Sequence, residues 1–386
     1  MKKKIAILGS TGSIGKTLIK IIKNEKNKFD IILLTANRNY LTLLSQAKVL
    51  KPKNIIITDK KSYLKFININ KDKKINIYND FKSFKSIFKN KVDYVMSSIT
   101  GLDGLIPTLN IIKFTKEIAI ANKEALICGW SILKKELLKF NTTFLPVDSE
   151  HFSIWYGLKN NNDKINKIII TASGGPFYNL PIRNFKKIKI HQALKHPNWK
   201  MGKKISIDSA TMMNKVFEII EARNIFELNY KDLGILNHPK SYIHAIIQYS
   251  NGMTKVIVHD TNMKIPIFNT LYWNSNKEIK SKNLKLDILN NLSLKKVNLK
   301  RFPLVNILKY MPNNHSLFET LVVSINDTLV YLFLNGKISF NDISKKFNKL
   351  IKLKEFNKYK KIKPNKVKDI IELDQLVRLK ILTKSI

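Results

Sequence analysis

Short apolar runs alternate with segments of helical periodicity through the first third of the chain, and this alternation restricts the possible folds most. The runs are KIAILG, FDIILLTA, NIIIT and DYVMSSI, all rich in isoleucine and valine. Such runs are typical of buried strands, and a helix between successive strands makes those strands parallel. The pattern therefore predicts an α/β fold with a parallel sheet covered by helices on both faces.

The glycine-rich segment GSTGSIG follows the first predicted strand and precedes a predicted helix. Its glycines are Gly9, Gly12 and Gly15. A glycine turn at such a junction lets backbone N–H groups approach a pyrophosphate at the positive end of the helix. Because the motif stands at the first strand-to-helix junction, it predicts a Rossmann-like dinucleotide-binding domain. A tight turn without a ligand is the alternative.

The end of the second predicted strand indicates which dinucleotide binds. NAD-binding folds usually place an acid there to hold the ribose 2′-hydroxyl. Here the strand ends in TANRN, in which Arg38 lies between Asn37 and Asn39 and no acid is present. A cation at this position favours the 2′-phosphate of NADP, so we expect NADPH. A surface arginine without this role is the alternative.

The sequence pattern changes after about residue 150. A run of two alternating strands, SYIHAIIQYSNGMTKVIVHD, predicts a hairpin in which Asn251 and Gly252 supply positive φ angles. Beyond Pro303 the periodicity is mostly helical. We therefore predict a Rossmann-like NADPH-binding domain at residues 1–149, a central α+β catalytic domain with a separate sheet at 150–273, a linker at 274–300 and a C-terminal helical domain at 301–386.

Two acids in PVDSEH suggest a metal site. Asp148 and Glu150 lie two residues apart, so in an extended segment both carboxylates would point to the same side. Carboxylates held together repel unless a cation joins them, and all-oxygen ligation suits Mg²⁺ or Mn²⁺. Two solvated acids are the alternative. The chain has only 28 acidic residues against 69 basic ones, which favours the metal.

The stretch HPNWKMGKKISIDSATMMNKVFEIIEA begins as an irregular loop and continues as a helix predicted from about Ser209. In that helix Asn214, Lys215 and Glu218 would share one face. The first two residues, with Ser209 and the N-terminal amides, are predicted to bind a phosphate, and Glu218 to turn toward the metal. For Ser209 alone, ordinary helix capping explains the residue equally well.

Two further segments add polar side chains to these sites. Ser173 precedes two glycines in ASGGPF, which is typical of a hydroxyl and backbone contact for an anion. Lys123 in ANKEA follows a predicted strand, and the carboxyl ends of parallel strands face the ligand crevice in such folds. A solvated lysine is the alternative in so basic a chain.

Composition bears on partners and compartment. The formal charge of +41 by itself favours nucleic-acid binding, but the excess is lysine spread along the chain among many Asn and Ile residues, as AT-rich codons produce. The single cysteine, Cys128, excludes an internal disulfide and suits a reducing compartment. We expect no signal peptide and no run that spans a bilayer. We therefore expect a soluble cytoplasmic protein without nucleic-acid or membrane partners.

Six motifs taken together, GSTGSIG, TANRN, ANKE, PVDSEH, TASGGPF and HPNWKMGKKISIDSATMMNK, resemble the 1-deoxy-D-xylulose 5-phosphate reductoisomerase family in order and spacing. The C-terminal third resembles the family more loosely, through SINDTLVYLFL and FNDI. The resemblance implies a homodimer that isomerises this ketose phosphate and reduces the aldehyde to 2-C-methyl-D-erythritol 4-phosphate, in non-mevalonate isoprenoid biosynthesis. The implied cofactors are NADPH and Mg²⁺ or Mn²⁺, with Co²⁺ as a further candidate.

The resemblance also implies roles for residues at matching positions. The implied cofactor contacts are Thr11, Gly12, Ser13, Ile14, Asn37, Arg38, Asn39, Asn122, Glu124 and Gly202. The implied substrate contacts are Lys123, Ser149, Glu150, Ser173, His196, Trp199, Met201, Ser209, Asn214, Lys215 and Glu218. The implied catalytic residues are Lys123, Asp148, Glu150, His196 and Glu218, of which the three acids are the metal ligands. Trp199 and Met201 would lie on a mobile flap that closes over the substrate.

Two other classes of protein remain as alternatives. An NADP-dependent dehydrogenase of another phosphorylated small substrate would share the glycine motif, but would not require the three acids together with the phosphate cluster. A basic nucleic-acid-binding protein would explain the charge alone.

Overall fold

The computed structural model of the chain describes residues 1–161, 163–199, 201–281 and 285–383. Its strands are β1 (Lys3–Leu8), β2 (Phe29–Ala36), β3 (Asn54–Ile57), β4 (Asn76–Tyr78), β5 (Val92–Ser97), β6 (Thr115–Ile120), β7 (Thr143–Pro146), β8 (Ile165–Ala172), β9 (Leu233–Asn237), β10 (Ile243–Tyr249), β11 (Thr254–Val258) and β12 (Lys295–Lys296). Its α-helices are α1 (Ser13–Lys23), α2 (Tyr40–Leu50), α3 (Lys60–Ile69), α4 (Phe84–Ile87), α5 (Leu105–Ile112), α6 (Lys123–Lys139), α7 (Ser149–Leu158), α8 (Ile190–Ala193), α9 (Lys203–Ala210), α10 (Met213–Phe226), α11 (Lys264–Leu271), α12 (Leu286–Leu289), α13 (Leu317–Leu334), α14 (Phe340–Leu350) and α15 (Val367–Thr383).

The first of two compact units comprises Met1–Ala125, Leu133–Asp148 and Met263–Ile279. Its sheet has the strand order β4-β3-β2-β1-β5-β6-β7, and every pairing is parallel. The chain runs outward from β1 to β4 and then returns to place β5 on the other side of β1. This reversal creates a switch point at the carboxyl end of β1, where ligands bind in such folds. The predicted Rossmann-like parallel sheet is confirmed.

The inner strands of this sheet contain continuous apolar runs that are buried on both faces, as in parallel sheets covered by helices. In β1, Ile5, Ile7 and Leu8 are completely buried, although successive side chains point to opposite faces. β2 coincides with the predicted run FDIILLTA. Nearly all of its residues are buried, as expected for a strand covered on both faces. Continuous apolar character therefore marked these strands clearly in the sequence.

The segment Met263–Ile279 packs with the first unit, whereas the predicted boundaries place it partly in the catalytic domain and partly in the linker. α11 packs against α1, and its Ile267 and Leu271 are completely buried. Thr270 also forms a 3.1 Å hydrogen bond with the hydroxyl of Tyr94 on β5. The apolar face of α11 thus returns this stretch to the first sheet. The other predicted domain boundaries stay predictions.

The second unit comprises Leu126–Ile132, Ser149–Asn262 and Lys280–Ile386. Its separate sheet has the strand order β11-β10-β8-β9-β12, with β8 and β9 parallel and the other pairs antiparallel. α7 contributes Ile154 and α10 contributes Ile219 to a buried cluster with Ile168, Ile170 and Ile247 of the sheet. Both helices are therefore fixed against the sheet by apolar packing, as the predicted α+β organisation requires.

The predicted hairpin is present, but its turn differs from the prediction. β10 and β11 pair antiparallel, and Gly252 has a φ of +87°. Asn251 does not adopt a positive φ, and its side chain instead accepts a hydrogen bond from the backbone N–H of Met253. One glycine is therefore enough for this turn. The predicted linker also contributes β12, which pairs with β9, while residues 282–284 of that linker lie outside the described residues.

The C-terminal segment is helical, as predicted, and consists mainly of α13, α14 and α15 after a 3₁₀ helix at Pro303–Tyr310. Ser316 and Glu319 form a capping box at the start of α13, which fixes that helix end. By length and composition α13 could cross a membrane, contrary to the expectation that no run would, but 78% of it is buried within the protein. Its apolar side chains are thus used in the core.

A buried histidine links α6 to the start of α13 within the second unit. The Nε2–H of His315 donates to the Ile127 carbonyl at 2.9 Å, and Nδ1 accepts from the Ser131 hydroxyl at 3.1 Å. Both bonds suit a neutral imidazole. Burial lowers the pKa of His315 to about 4, below its value of about 6.5 in the unfolded chain.

We expect this histidine to destabilise the protein in mild acid. The folded pKa lies below the unfolded one, so its contribution is fully present above pH 6.5 and is lost as the pH falls toward 4. Between pH 7.5 and 5.0 the wild type should lose roughly 2 kcal/mol more unfolding free energy than a His315→Gln variant. Urea unfolding at both pH values measures this difference, and equal pH dependence of the two proteins would refute it.

Candidate active site

The GSTGSIG segment forms a tight turn between β1 and α1. Gly9 has a φ of +80°, and a side chain at Gly15 would place its Cβ only 2.5 Å from the Gly9 carbonyl oxygen. Glycine is therefore required where the helix packs closely against the turn. Gly12 is the N-cap of α1, and no described side chain caps that helix end. The exposed Gly12 and Ser13 thus leave the first amides of α1 available to an anion.

The asparagines beside Arg38 have structural contacts. Asn37 donates to the Thr58 hydroxyl at 2.7 Å, and Asn39 caps α2 by accepting from the Thr42 N–H. The side chain of Arg38 is 83% exposed and lies 3.8 Å from Asp59. Such a surface pair is weak, so the guanidinium can turn to a ligand at low cost.

The ANKE segment begins α6, and its side chains are more buried than the sequence suggested. Asn122 caps the helix through the Ala125 N–H and also donates to the carbonyls of Ile99 and Gly101. Lys123 is buried and donates to the Asp148 carboxylate at 2.8 Å. Glu124 is buried as well. The structure therefore places Lys123 beside a predicted metal ligand, while a cofactor contact by Asn122 or Glu124 stays a prediction.

The three predicted metal ligands lie together. Asp148, Glu150 and Glu218 each offer a carboxylate oxygen, and these oxygens lie within 4.8 Å of one another. The predicted extended geometry of PVDSEH is wrong, because α7 begins at Ser149 and Glu150 stands in its first turn. Asp148 is the residue just before the second unit and is joined to it through Ser149. The helix start, and not a strand, thus positions Glu150.

Glu218 lies on α10, whose beginning differs from the prediction. The expected helix from about Ser209 is two helices, since α9 ends at Ala210 and Met212 adopts a left-handed conformation with φ of +66° before α10 starts. Ser209 therefore belongs to the last turn of α9. Asn214 and Lys215 share one face of α10 with Glu218, as predicted, and both contact its carboxylate.

Lys215 holds the acids of α7 and α10 together. Its ammonium donates to Glu150 Oε1 at 2.6 Å and forms an ion pair with Glu218 Oε2. Burial by itself would lower the pKa of Lys215, but the charges and hydrogen bonds of Glu150 and Glu218 outweigh it and raise that pKa. Lys215 was predicted to bind a phosphate, and the structure shows that it also balances the charge of two predicted metal ligands.

The three acids fit a small divalent cation. Carboxylate oxygens are the ligands that Mg²⁺ and Mn²⁺ prefer, and two oxygens on opposite sides of Mg²⁺ lie about 4.2 Å apart. A separation within 4.8 Å needs only a small side-chain movement to meet this requirement. Three carboxylates at one point also repel one another unless positive charge is nearby.

The predicted anion-binding hydroxyls lie on adjoining backbone segments. Gly175 of ASGGPF has a φ of +67°, and a Cβ there would approach the Ser209 carbonyl oxygen to 2.9 Å. This close approach sets the loop of Ser173 against the end of α9. The Ser173 hydroxyl in turn lies 3.1 Å from Nε2 of His196. The fold therefore gathers Ser173, His196 and Ser209 from separate stretches of the sequence.

His196 is neutral and its tautomer is set by the surrounding loop. The backbone N–H groups of Asn198 and Trp199 both donate to Nδ1, at 3.1 and 3.0 Å. Nε2 therefore carries the hydrogen and donates to Ser173. Burial, and then the charge of Lys215, lower the pKa of His196 to about 4. The neutral imidazole can still donate a hydrogen bond to an anion through Nε2.

The predicted flap residues lie on the loop before α9. The Trp199 ring packs edge-on against the ring of His244, with centroids 6.2 Å apart. Asn198 anchors the loop by donating to the Pro239 carbonyl and the Ser241 hydroxyl. Met201 is half-buried, and Gly202 is the exposed N-cap of α9, in the second unit. Motion of the loop and a cofactor contact by Gly202 stay predictions.

Three histidines near the acids were missed by the sequence reasoning. His151 follows Glu150 and forms a 2.8 Å hydrogen bond through Nε2 to the Glu218 carbonyl, so it ties α7 to α10. His244 Nδ1 lies 4.0 Å from Glu150, and its ring stacks on that of His259 with centroids 3.7 Å apart. For His244 the available sequence signal was a histidine within the alternating strand IHAIIQY.

The first unit has a fold of the dinucleotide-binding type, and three carboxylates lie together beside Lys215. These features define the class as a metal-dependent oxidoreductase that uses a dinucleotide cofactor. Family models described as 1-deoxy-D-xylulose 5-phosphate reductoisomerase match residues 5–129, and models of its C-terminal domains match residues 144–226 and 259–380. The chain belongs to the 1-deoxy-D-xylulose 5-phosphate reductoisomerase family.

Individual relatives agree over the full length. The 1-deoxy-D-xylulose 5-phosphate reductoisomerase of Pelagibacter ubique (strain HTCC1062) is 57% identical over 387 residues, with 100% of both chains covered. That of Clostridium tetani is 36% identical, with 97% of both covered. The structure of the enzyme from Zymomonas mobilis in complex with NADPH has a TM-score of 0.88 at 30% identity, covering 100% of both chains. A reductoisomerase structure with NADPH, fosmidomycin and magnesium has a TM-score of 0.89 at 29% identity, covering 99% of both. The predicted family and fold are confirmed.

Proposed function

We propose that this protein isomerises 1-deoxy-D-xylulose 5-phosphate and reduces the product to 2-C-methyl-D-erythritol 4-phosphate with NADPH and a divalent cation. The observation that carries the proposal is the convergence of Asp148, Glu150 and Glu218, two of which are paired with Lys215. A relative of 29% identity binds NADPH, fosmidomycin and magnesium, which supports the same cofactors here. The pathway, non-mevalonate isoprenoid biosynthesis, follows from the family.

The acids and Lys215 prepare the site for the rearrangement. Asp148, Glu150 and Glu218 would hold Mg²⁺ or Mn²⁺, which supplies polarisation of the ketone and stabilises negative charge on its oxygen. Lys215 balances the charge of Glu150 and Glu218, because its ammonium contacts both carboxylates. Lys123 does the same for Asp148. Each acid thus has a lysine ammonium beside it.

The phosphate of the substrate would bind where Ser173, His196 and Ser209 come together. Ser173 and His196 are already joined by a 3.1 Å hydrogen bond, which fixes both groups before the ligand arrives. Binding energy from the non-reacting phosphate can orient the reacting atoms. Asn214 donates to Glu218, and its buried Oδ1 has no hydrogen-bond partner among the described residues. That oxygen can accept a substrate hydroxyl.

We expect Arg38 to select NADPH over NADH. Its exposed guanidinium stands at the end of β2, where the 2′-phosphate is held in this fold. In Arg38→Ala the KM for NADPH should rise by a factor equivalent to about 1 to 3 kcal/mol, while the KM for NADH hardly changes. Steady-state assays with both cofactors measure this, with exposed Arg183→Ala as a control. Equal losses with both cofactors would exclude the proposed role.

We expect the loop carrying Trp199 to close over the substrate. The indole lies beside His244, and His244 lies near Glu150, so a ligand at the acids would reach the loop. Tryptophan fluorescence should change when a phosphonate substrate mimic binds with Mg²⁺, and Trp199→Phe should abolish the change while Trp155→Phe retains it. A signal that persists in Trp199→Phe would show that the flap is not the source.

A direct assay tests the proposed function. Purified protein with 1-deoxy-D-xylulose 5-phosphate, NADPH and Mg²⁺ should oxidise NADPH and form the branched product, and EDTA should stop the reaction. A dehydrogenase of another phosphorylated substrate would form no branched product.

The homodimer and the cytoplasmic location also remain our proposals, as does the absence of nucleic-acid and membrane partners. Sedimentation in solution tests the homodimer, and retention on DNA at physiological salt tests nucleic-acid binding.

A further inference from the structure

A fully buried asparagine of the C-terminal segment contacts the helix that carries Ser209. Asn326 of α13 donates through Nδ2 to Asp208 Oδ1 at 2.8 Å, and Asp208 is itself buried. A carboxylate only accepts hydrogen bonds, so the amide must turn its NH₂ group toward Asp208. Its own Oδ1 is then left with no hydrogen-bond partner among the described residues. The contact with Asp208 thus leaves this buried carbonyl oxygen of Asn326 unsatisfied.

The second oxygen of Asp208 is held through charges of the same segment. Lys204 lies 3.2 Å from Asp208 Oδ2 and 2.9 Å from Asp327 Oδ1. Asp327 is also paired with Arg378 of α15, at 3.5 Å. Asn326 and Asp327 are neighbours on α13, in the motif SINDTLVYLFL. Asn326 holds one carboxylate oxygen of Asp208 directly, and Asp327 holds the other through Lys204.

The fixed carboxylate is next to the substrate-binding end of α9. Asp208 immediately precedes Ser209, and the backbone of Ser209 lies against Gly175 in the loop of Ser173. A shift of the last turn of α9 would therefore move both hydroxyls of the phosphate site. An apolar side chain at 326 would leave Asp208 Oδ1 buried without this donor, so the Asn326 amide is needed to hold the carboxylate in its present orientation.

We propose that Asn326 is a positioning residue that fixes the last turn of α9, and with it Ser209, for binding of the substrate phosphate. The role of Ser209 rests on the proposed function, whereas the contact between Asn326 and Asp208 does not. Asn326 would act only through Asp208, so its effect should appear in substrate binding and not in NADPH binding.

A reciprocal exchange tests the proposal. Asn326→Asp places two carboxylates against each other, and we expect the KM for 1-deoxy-D-xylulose 5-phosphate to rise at least about tenfold while the KM for NADPH changes little. Adding Asp208→Asn restores the bond with donor and acceptor exchanged, so the double variant should recover most of the substrate KM. Ser324→Ala is the matched control, since it removes a 2.6 Å bond from α13 to Asp374 and not to α9.

Hydrogen exchange of the backbone amides at residues 207–211 gives a second measurement that does not need turnover. We expect faster exchange there in Asn326→Asp, slow exchange again in the double variant, and no change in Ser324→Ala. Unchanged exchange in Asn326→Asp, or a double variant no better than the single one, would overturn the proposal. Equal rises in both KM values would do the same. An inactive wild type would refute the proposed function, and the exchange result would still decide the role of Asn326.

Discussion

Replacing Glu218 by glutamine should abolish turnover, with a fall in kcat of at least about 10³-fold. Glutamine keeps the size of the side chain but removes a charge from the three carboxylates that converge within 4.8 Å. Lys215 and the amide of Asn214 both donate to the Glu218 carboxylate in the wild type. The NH₂ group of glutamine would face one of these donors and could not accept from it. Steady-state assays with Mg²⁺ and a fluorescence titration with NADPH measure the two expected results, lost turnover and retained cofactor binding.

The control for this experiment lies on the same helix. Glu227→Gln removes an acidic charge at the exposed C-terminal end of α10, where Glu227 is the C-cap. We expect near-normal turnover from that variant. Normal metal-dependent activity of Glu218→Gln would contradict both the metal site and the mechanism built on it.

Replacing Lys215 by methionine should destabilise the protein most when no divalent cation is present. Lys215 is the buried cation that contacts Glu150 and Glu218, and its removal leaves their charges facing each other. Breaking a buried ion pair of this kind costs about 3 to 5 kcal/mol. In EDTA we therefore expect a clear fall in Tm. Added Mg²⁺ should raise the Tm of the variant more than that of the wild type, because no ammonium competes for the carboxylates.

The matched variant is Lys255→Met, which removes a lysine of the same unit that donates to the Gly157 carbonyl at 3.0 Å. Its Tm should respond to Mg²⁺ as the wild type does. We also expect Lys215→Met to lose most substrate turnover, because the proposed phosphate site would lose its cation. A Lys215→Met protein with unchanged Tm in EDTA would show that the lysine does not balance these acids.

The parallel sheet was predictable because its inner strands contain continuous apolar runs. FDIILLTA matches β2, and GSTGSIG stands between β1 and α1 as expected. The face shared by Asn214, Lys215 and Glu218 was also predictable, since residues three and four apart are neighbours on any helix. These features depend on local periodicity, which a sequence displays directly.

Features that depend on single backbone conformations or distant packing were not predictable. The break between α9 and α10 rests on Met212, a residue type that seldom adopts positive φ and gives no warning of it. The start of α7 at Ser149 likewise changed how Glu150 is presented. The pairing of Lys215 with Glu150, 65 residues away, and the stacking of His244 on His259 arise only from the assembled fold.

We propose that Asp148, Glu150 and Glu218 bind one divalent cation. Anomalous diffraction from crystals soaked with Mn²⁺ tests this claim. We predict a single strong peak bonded to one oxygen from each of the three acids at roughly 2.0 to 2.3 Å. A strong peak elsewhere in the protein, or one that Glu218 does not contact, would contradict the claim.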